Sequence, residues 1–539
     1  MSAVRHWAAA LALSALGCAS RAQTSSPAPR PEPAAAPMPA APPPPSAAQE
    51  RASMLAALRT GIDSMVANPE FRNAHWGILI VDPERADTLY SHDAGKLFMP
   101  ASNMKIVTGS VALAQLGPDF RFRTTLVARG PVCDGLLDGD LAVNGRGDPT
   151  VSGAMRGGDA MLPLREMADS LAARGVKRIA GRVVAGDDVF PGPTLGYGWS
   201  WDDLRESYSA GVDELFFDEG FARVAVSGGR RVGARATVTM VPALGYPRLR
   251  ASVRTAIAPE SLAAGSGARG SLDVSAPTAQ LVVRADSSSG DVVVSGWIAP
   301  HATDTLEVVF PDQDDAYLAA FRTALALRGI TVGGRSTLPS GACGRRARAP
   351  MADTLVAYQS LPLRDVLHAM EKPSQNQIAE LLLRTIGLER GGAGTPDSGI
   401  AVVKRQLLAW GVEPDGYVLH DGSGLSRYDY VTPETLVRTL AAIRRDTAFS
   451  AFYDALPIAG VDGTLERRMR GTPAEGNVHA KTGYVSNARS LSGYVTTADG
   501  RTLIFSALCN NWTAPVRDVE HVQDAIAVRL ASLTLGGAP

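Results

Sequence analysis

The chain is short of lysine, of cysteine and of net charge, and each shortage excludes something. Among 539 residues 53 are basic and 54 acidic, a formal net charge of −1, which removes the main electrostatic argument for a nucleic-acid partner. The eight histidines are scattered, with no His-Glu-x-x-His and no Cys-x-x-Cys. Neither a zinc peptidase nor a zinc ribbon therefore finds its ligands at the spacing it needs, and no metal or cofactor is expected. The apolar run from Trp7 to Leu16 has ten residues, too few for a permanent membrane helix, which takes about 20. The rest, 45% hydrophobic and 20% charged, is ordinary globular composition, and the length suggests roughly three to four domains.

Only six of the basic residues are lysine (Lys96, Lys105, Lys177, Lys372, Lys404 and Lys481), leaving 47 arginines. An ammonium shifts its pKa readily and a guanidinium does not. A chain that writes arginine almost everywhere can still need lysine where a cation must lose its proton. Four of the six read as surface charges; Lys105 and Lys481 stand in motifs.

Residues 1–21 read as an export signal, with Arg5 as the positive region, the apolar run, and small residues after it. The stretch Ser14-Ala15-Leu16-Gly17-Cys18 resembles a bacterial lipoprotein box, with Cys18 as the lipid attachment point; cleavage near Ala22 by ordinary signal peptidase is the alternative. The Ala/Pro-rich linker 22–50 includes Pro42 to Pro45 and favours an extended conformation. At ~3.1 Å per residue, its 25 or so residues reach roughly 80 Å, the length of a tether. Export places the remaining cysteines where a disulfide is permitted. Cys133 and Cys343, both in turn-like settings, are expected to bridge, and Cys509 reads as a buried thiol.

Leu55, Leu58, Ile62 and Met65 repeat at helical spacing ahead of Pro69, two strand-like stretches (76–81 and 88–91) follow, and a second helix starts just after Pro100 and closes at Gly117-Pro118. Further helices are expected at 162–174, 315–328, 363–371, 377–386, 397–410 and 433–445. The C-terminal part reads as two antiparallel strands, 490–496 and 502–509, and a final amphipathic helix carrying Val519, Val522, Ile526, Leu530 and Leu533. Helical material at both ends with Val-rich, Gly-punctuated β material between them indicates a discontinuous α/β (α+β) domain interrupted by a β-rich insertion.

Three motifs carry chemistry. Ser102-Asn103-Met104-Lys105 places a hydroxyl and an amine on one face of a first helical turn, at the positive end of the helix dipole, where a deprotonated lysine can activate a serine. Chance alone yields roughly 0.4 such pairs in this composition, so the motif needs support. Lys481-Thr482-Gly483, expected by chance on the order of 0.04 times, reads as a strand facing a cleft. There Gly483 admits a substrate backbone, and Lys481 is a positive charge able to depress the pKa of Lys105. Ser374-Gln375-Asn376, lying between two helices, is by itself an ordinary helix cap. The order Ser-x-x-Lys, Ser-x-Asn, Lys-Thr-Gly is that of the penicillin-recognising serine acyl transferases.

On these motifs the chain resembles the D-alanyl-D-alanine carboxypeptidase/endopeptidase family, the class C low-molecular-mass penicillin-binding proteins of penicillin-binding protein 4 type. Met99-Pro100-Ala101, Gly145-Arg146-Gly147-Asp148-Pro149-Thr150, Gly198-Trp199, Asp421-Gly422-Ser423-Gly424-Leu425-Ser426-Arg427 and Ser490-Leu491-Ser492-Gly493-Tyr494-Val495 add to it. The resemblance spans about 51–535. It implies a β-lactamase/transpeptidase-like catalytic domain (51–120 and 352–535), an inserted domain (121–225 and 300–351) and a third nested within that (226–299). By the same resemblance Ser102 attacks a D-Ala-D-Ala or cross-link peptide bond of peptidoglycan stem peptides and is acylated by β-lactam antibiotics. Lys105 is the base, Ser374 relays the proton to the leaving amine, and Asn376 orients the peptide. Lys481 and Thr482 hold the terminal carboxylate, and the N–H groups of Ser102 and Tyr484 form the oxyanion hole. Tyr484 is a departure, because the family carries serine or threonine there and uses that hydroxyl on the carboxylate. The competing readings are a β-lactamase, against which stand the length, the insertion and the lack of a Glu-x-x-Leu-Asn segment, and a non-catalytic envelope lipoprotein that binds cell wall.

Overall fold

The two ends of the chain meet in one antiparallel sheet. Its five strands run in the order His479–Val485, Ala488–Thr496, Thr502–Asn510, His75–Asp82, Asp87–His92, so a strand from the beginning of the chain is zipped to one from its end, Ile78 opposite Ala507. In this computed structural model residues 46–257, 278–286, 291–334, 343 and 353–536 are described; the export signal, Cys18 and the linker up to residue 45 lie outside them. Strands 75–82 and 502–510 read as nearly continuous apolar runs because both faces of the sheet are covered. On one face the helices Ala47–Val66 and Val516–Ala531 pack through Leu58, Ile62, Val519 and Ile526. On the other, Met104–Leu116, Leu363–Glu371, Asn376–Ile386 and Pro433–Ile443 bury Val107, Val111, Leu367, Leu382 and Leu440.

The apolar periodicity located these elements to within a few residues. The first helix begins at Ala47, so residues 47–50, counted above with the linker, are helical. The seven-residue helix Phe449–Ala455 was not anticipated, because its tertiary contacts through Phe452 do what a short sequence signal cannot. Among the described residues no helix is long and apolar enough to cross a membrane.

Between the two halves of this body the described residues form four smaller sheets. Asp353–Gln359, Arg123–Arg129, Asp140–Asn144 and Val183–Ala185 form one, and the short strands 331–332, 178–179, 136–137 and 132–133 another. The helices Leu162–Ala173 and Gln313–Leu327 share a core with them. The segment from Phe221 to Val309 supplies two three-stranded sheets around Val224, Val226, Val253, Val294 and Ile298. Cys133 and Cys343 are joined by a disulfide, Cα atoms 5.7 Å apart, and Cys509 is a free, buried thiol. Of the four lysines read as surface charges, Lys96, Lys177 and Lys404 are exposed. Lys372 is a correction: its ammonium lies 2.8 Å from Asp462 and 2.6 Å from the Leu456 carbonyl, tying the end of Leu363–Glu371 to the approach of the edge strand.

Candidate active site

Pro100 sets the start of a single 3₁₀ turn, Ala101–Asn103, which runs directly into Met104–Leu116. Ser102 and Lys105 are therefore one turn apart on the same face, and Lys105 Nζ lies 2.9 Å from Ser102 Oγ. The rest of the ammonium is enclosed. Nζ reaches Asn376 Oδ1 at 2.6 Å and the Ser423 carbonyl at 2.9 Å, and the residue is fully buried. Asn376 is oriented in turn by donating from Nδ2 to the Tyr208 carbonyl at 2.9 Å. A neutral amine has two N–H bonds and one lone pair. With both N–H directions taken by fixed carbonyl acceptors, the lone pair is left for the serine hydroxyl. Burial holds Lys105 down at about 7, helped by the charge of Lys481 and opposed by Glu371, Asp421 and Glu380, so the free-base form is accessible near neutrality.

The edge strand His479–Val485 closes on this turn. Asn103 Nδ2 donates to the Lys481 carbonyl at 2.8 Å, and Ser490 Oγ donates to the Pro100 carbonyl at 2.7 Å. Gly483 permits the approach: a Cβ there would lie 2.1 Å from Ser490 Oγ, 2.7 Å from the Pro100 carbonyl oxygen and 3.0 Å from Ser102 N. Lys481 is fully buried, with Nζ 3.2 Å from the Thr482 carbonyl, and burial lowers it to about 8 against the attraction of Glu371. The Thr482 hydroxyl is 2.6 Å from that of Thr464. Tyr484 is more than half exposed.

A cleft of about 430 Å³ opens over these groups, lined by Ser102, Ser374, Asn376, Thr482, Gly483 and Tyr484 among others. All eight residues singled out above thus converge, Lys105 and Lys481 from beneath. Ser374 sits at φ 67° between its two helices. Among the described residues its hydroxyl bonds to neither Ser102 nor Lys105; the contact to Lys105 comes from Asn376 instead.

Three acidic side chains complete the site; Asp421 stood in the sequence only as the start of the 421–427 pattern, and Glu371 and Glu380 were not found there. Glu371 is 0% exposed, and among the described residues neither carboxylate oxygen has a hydrogen-bond partner. Burial pushes it up to about 7, while Lys481 and Lys105 pull it down. The available signal was that Glu371 falls on the apolar stripe of its helix with Leu363, Val366, Leu367 and Met370, where a carboxylate has no business without a partner. Glu380 accepts from the N–H groups of Gly422 and Ser423 at 3.1 and 2.8 Å. Asp421 accepts from Gly424 N and Ser426 N, both at 2.7 Å, and from Trp199 Nε1 at 3.0 Å. Together they aim the Ser423 carbonyl at Lys105, so the loop 421–427 borders the cleft as part of its wall. Asp213, Glu214 and Asp314 bring carboxylate oxygens within 4.8 Å of one another, but none of them lines the cleft.

A serine activated by a buried lysine, with a second buried amine on an adjoining edge strand, is the apparatus of a serine acyl transferase. Residues 58–533 match the D-Ala-D-Ala carboxypeptidase 3 (S13) family, and the chain belongs to that family of serine peptidases. It is 35% identical over 505 residues to the D-alanyl-D-alanine carboxypeptidase of Actinomadura sp. (strain R39), covering 91% of this chain and 88% of that one. It is 28% identical to the D-alanyl-D-alanine carboxypeptidase DacB of Haemophilus influenzae, covering 83% and 87%. The crystal structure of penicillin-binding protein 4 from Haemophilus influenzae has the same fold, with TM-score 0.68 and 26% identity over 85% of this chain and 94% of that chain. The mixed α/β, transpeptidase-like architecture expected from the motifs is the one present.

Proposed function

We propose that the protein is an exported serine-type D-Ala-D-Ala carboxypeptidase and D,D-endopeptidase that acts on peptidoglycan stem peptides through an acyl-enzyme on Ser102 and is inhibited covalently by β-lactams. The observation that carries this reading is the 2.9 Å contact of Lys105 Nζ with Ser102 Oγ, with the two remaining amine directions taken by Asn376 and Ser423. Neutral Lys105 takes the hydroxyl proton as Oγ bonds to the carbonyl carbon of the scissile bond, and the oxyanion is held by the N–H groups of Ser102 and Tyr484. Collapse breaks the C–N bond, and the proton passes from Lys105 through Ser374 to the departing amine. Water then attacks the ester, giving back its proton by the same route and releasing the acid and free Ser102. Asn376 orients the peptide, and Gly483 lets its backbone approach the edge strand. Lys481 and Thr482 serve the end that bears the carboxylate. The catalytic body is assigned to 51–120 and 352–535, the insertion to 121–225 and 300–351, and the nested part to 226–299. The export signal 1–21, a lipid on Cys18 and the linker would hold this body in the periplasm at a distance from a membrane.

The test is labelling with a fluorescent penicillin, with Ser102→Ala as control, followed by incubation with cross-linked muropeptides and mass analysis. Labelling lost in Ser102→Ala, with loss of one alanine or splitting of dimers in the wild type, supports the reading. Labelling that persists in Ser102→Ala removes the nucleophile, and rapid nitrocefin turnover moves the enzyme to the β-lactamases.

A further inference from the structure

Of the groups assigned to the substrate carboxylate, one is buried and the other is paired. Lys481 is fully buried, its Nζ 3.2 Å from the Thr482 carbonyl, and the Thr482 hydroxyl is paired with Thr464. The hydroxyl that the family pattern carries two positions on is replaced by Tyr484.

Another cation stands at this end of the cleft. Arg489 lies directly opposite Tyr484 in the antiparallel ladder, so the two side chains leave the sheet on the same face. Its guanidinium carbon is 3.6 Å from the centroid of the Tyr484 ring. Both residues line the cleft with Thr482. Nη2 is 3.3 Å from Glu520 of the last helix, which lines the cleft as well. Among the described residues the buried Nε has no hydrogen-bond partner and Nη1 donates to no group. A guanidinium stacked on a ring and clamped by one carboxylate has given up much of its rotamer freedom before a ligand arrives. Its charge also persists at every pH at which the enzyme can work, whereas Lys481 titrates.

We propose that Arg489, held on the face of Tyr484, is a specificity-determining residue that receives the carboxylate of the departing D-amino acid in place of the missing hydroxyl. The assignment rests on the function proposed above and deepens it. The Tyr484 substitution then changes which group binds the carboxylate without abolishing its recognition.

The experiment compares two matched acyl-D-Ala-D-Ala peptides, one ending in a free carboxylate and one in a carboxamide. The wild type should prefer the carboxylate peptide in kcat/KM. Arg489→Gln should shrink that preference by about 10- to 100-fold, the worth of a hydrogen bond to a charged group, mainly through KM of the carboxylate peptide. Arg489→Lys, which keeps charge without the planar fork, should retain part of it and gives a reading should the glutamine variant fail to fold. A purely structural role would lower both peptides together and leave the ratio alone. Wild type labelled by penicillin at Ser102, with a ratio unchanged in Arg489→Gln or Arg489→Lys, overturns the Arg489 assignment alone. Wild type that neither labels nor cleaves either peptide overturns the functional reading and this assignment with it.

Discussion

Replacing Glu371 by glutamine should move the pH profile of acylation toward acid. The carboxylate is fully buried, without hydrogen bonds among the described residues, and its charge supports the protonated forms of both Lys105 and Lys481. The sign follows from which forms are active. In the proposed mechanism acylation needs Lys105 neutral and Lys481 charged, so the rate rises with pH as Lys105, held at about 7, loses its proton. It falls as Lys481, held at about 8, does the same. Coupling of this kind makes the two limbs macroscopic properties of the group rather than of single residues. Removing one negative charge near a buried cation lowers its pKa by about 1 unit, the low end of the usual range, so both limbs shift down together.

The size follows directly. Glu371 is itself held at about 7, so it carries its charge, and its loss tells, at pH 8: there, with limbs at about 7 and 8, roughly half of the wild type is competent, and with limbs one unit lower roughly a tenth is, a loss of about fivefold. The assay is the pseudo-first-order rate of Ser102 labelling by a fluorescent penicillin from pH 5 to 9, with melting curves showing that the variant is folded. A profile that stays in place, or an acid limb that moves upward, refutes the placement of Glu371 between the two amines.

Three other substitutions test separate parts of the structure. Lys105→Arg keeps the charge but cannot release a proton; labelling should fall by about 10²–10⁴-fold and should not recover on raising the pH to 9. A recovered rate would remove Lys105 as base. Glu214 is pushed up to about 9 by burial and by Asp213 beside it, above its ordinary 4.5. Its stabilising protonation is fully present below 4.5 and is lost as pH rises toward 9. Glu214→Gln should therefore flatten the decline of Tm between pH 5 and 8 and raise Tm at pH 8; an unchanged slope counts against it. Cys133→Ser opens a bridge between residues 210 apart in sequence and should cost about 2–4 kcal/mol in denaturant unfolding, while the rate of penicillin labelling at 25 °C holds. A fall in that rate would tie the insertion to the catalytic groups.

What could be read in advance follows from how each residue announces itself. Lys105 and Lys481 were legible because lysine is rare here, so its appearance in two short motifs was improbable by chance. Asn376 was legible through order along the chain, although its contact with Lys105 joins positions 271 apart and no local rule contains it. The sheet that joins the first strands to the last was readable as a consequence of helical material at both ends. Lys372 was misread because its partners, Asp462 and the Leu456 carbonyl, arrive from a segment with no periodic pattern linking it to that helix. Glu380 was similarly opaque, and Trp199, quoted only within the Gly198-Trp199 pattern, gave no sign of its partner: each acts by fixing the 421–427 loop, Trp199 from within the insertion.

Glu371 is the most instructive of these, since the sequence did carry its signal. A glutamate on an apolar helical stripe is costly to bury alone, and the cost falls only if cations are brought to meet it. The two cations are Lys105 and Lys481, which themselves could not both be buried charged without a counter-ion. The three residues make sense only together. One carboxylate offsets one of two buried ammonium groups, leaving the cluster with a surplus proton that is easily surrendered, and Lys105, whose other hydrogen-bonding directions are occupied by carbonyls, is the amine placed to surrender it. On the proposed mechanism the base is thus generated by the cluster as a whole, which is why removing the acid is expected to shift the profile toward acid instead of silencing the serine.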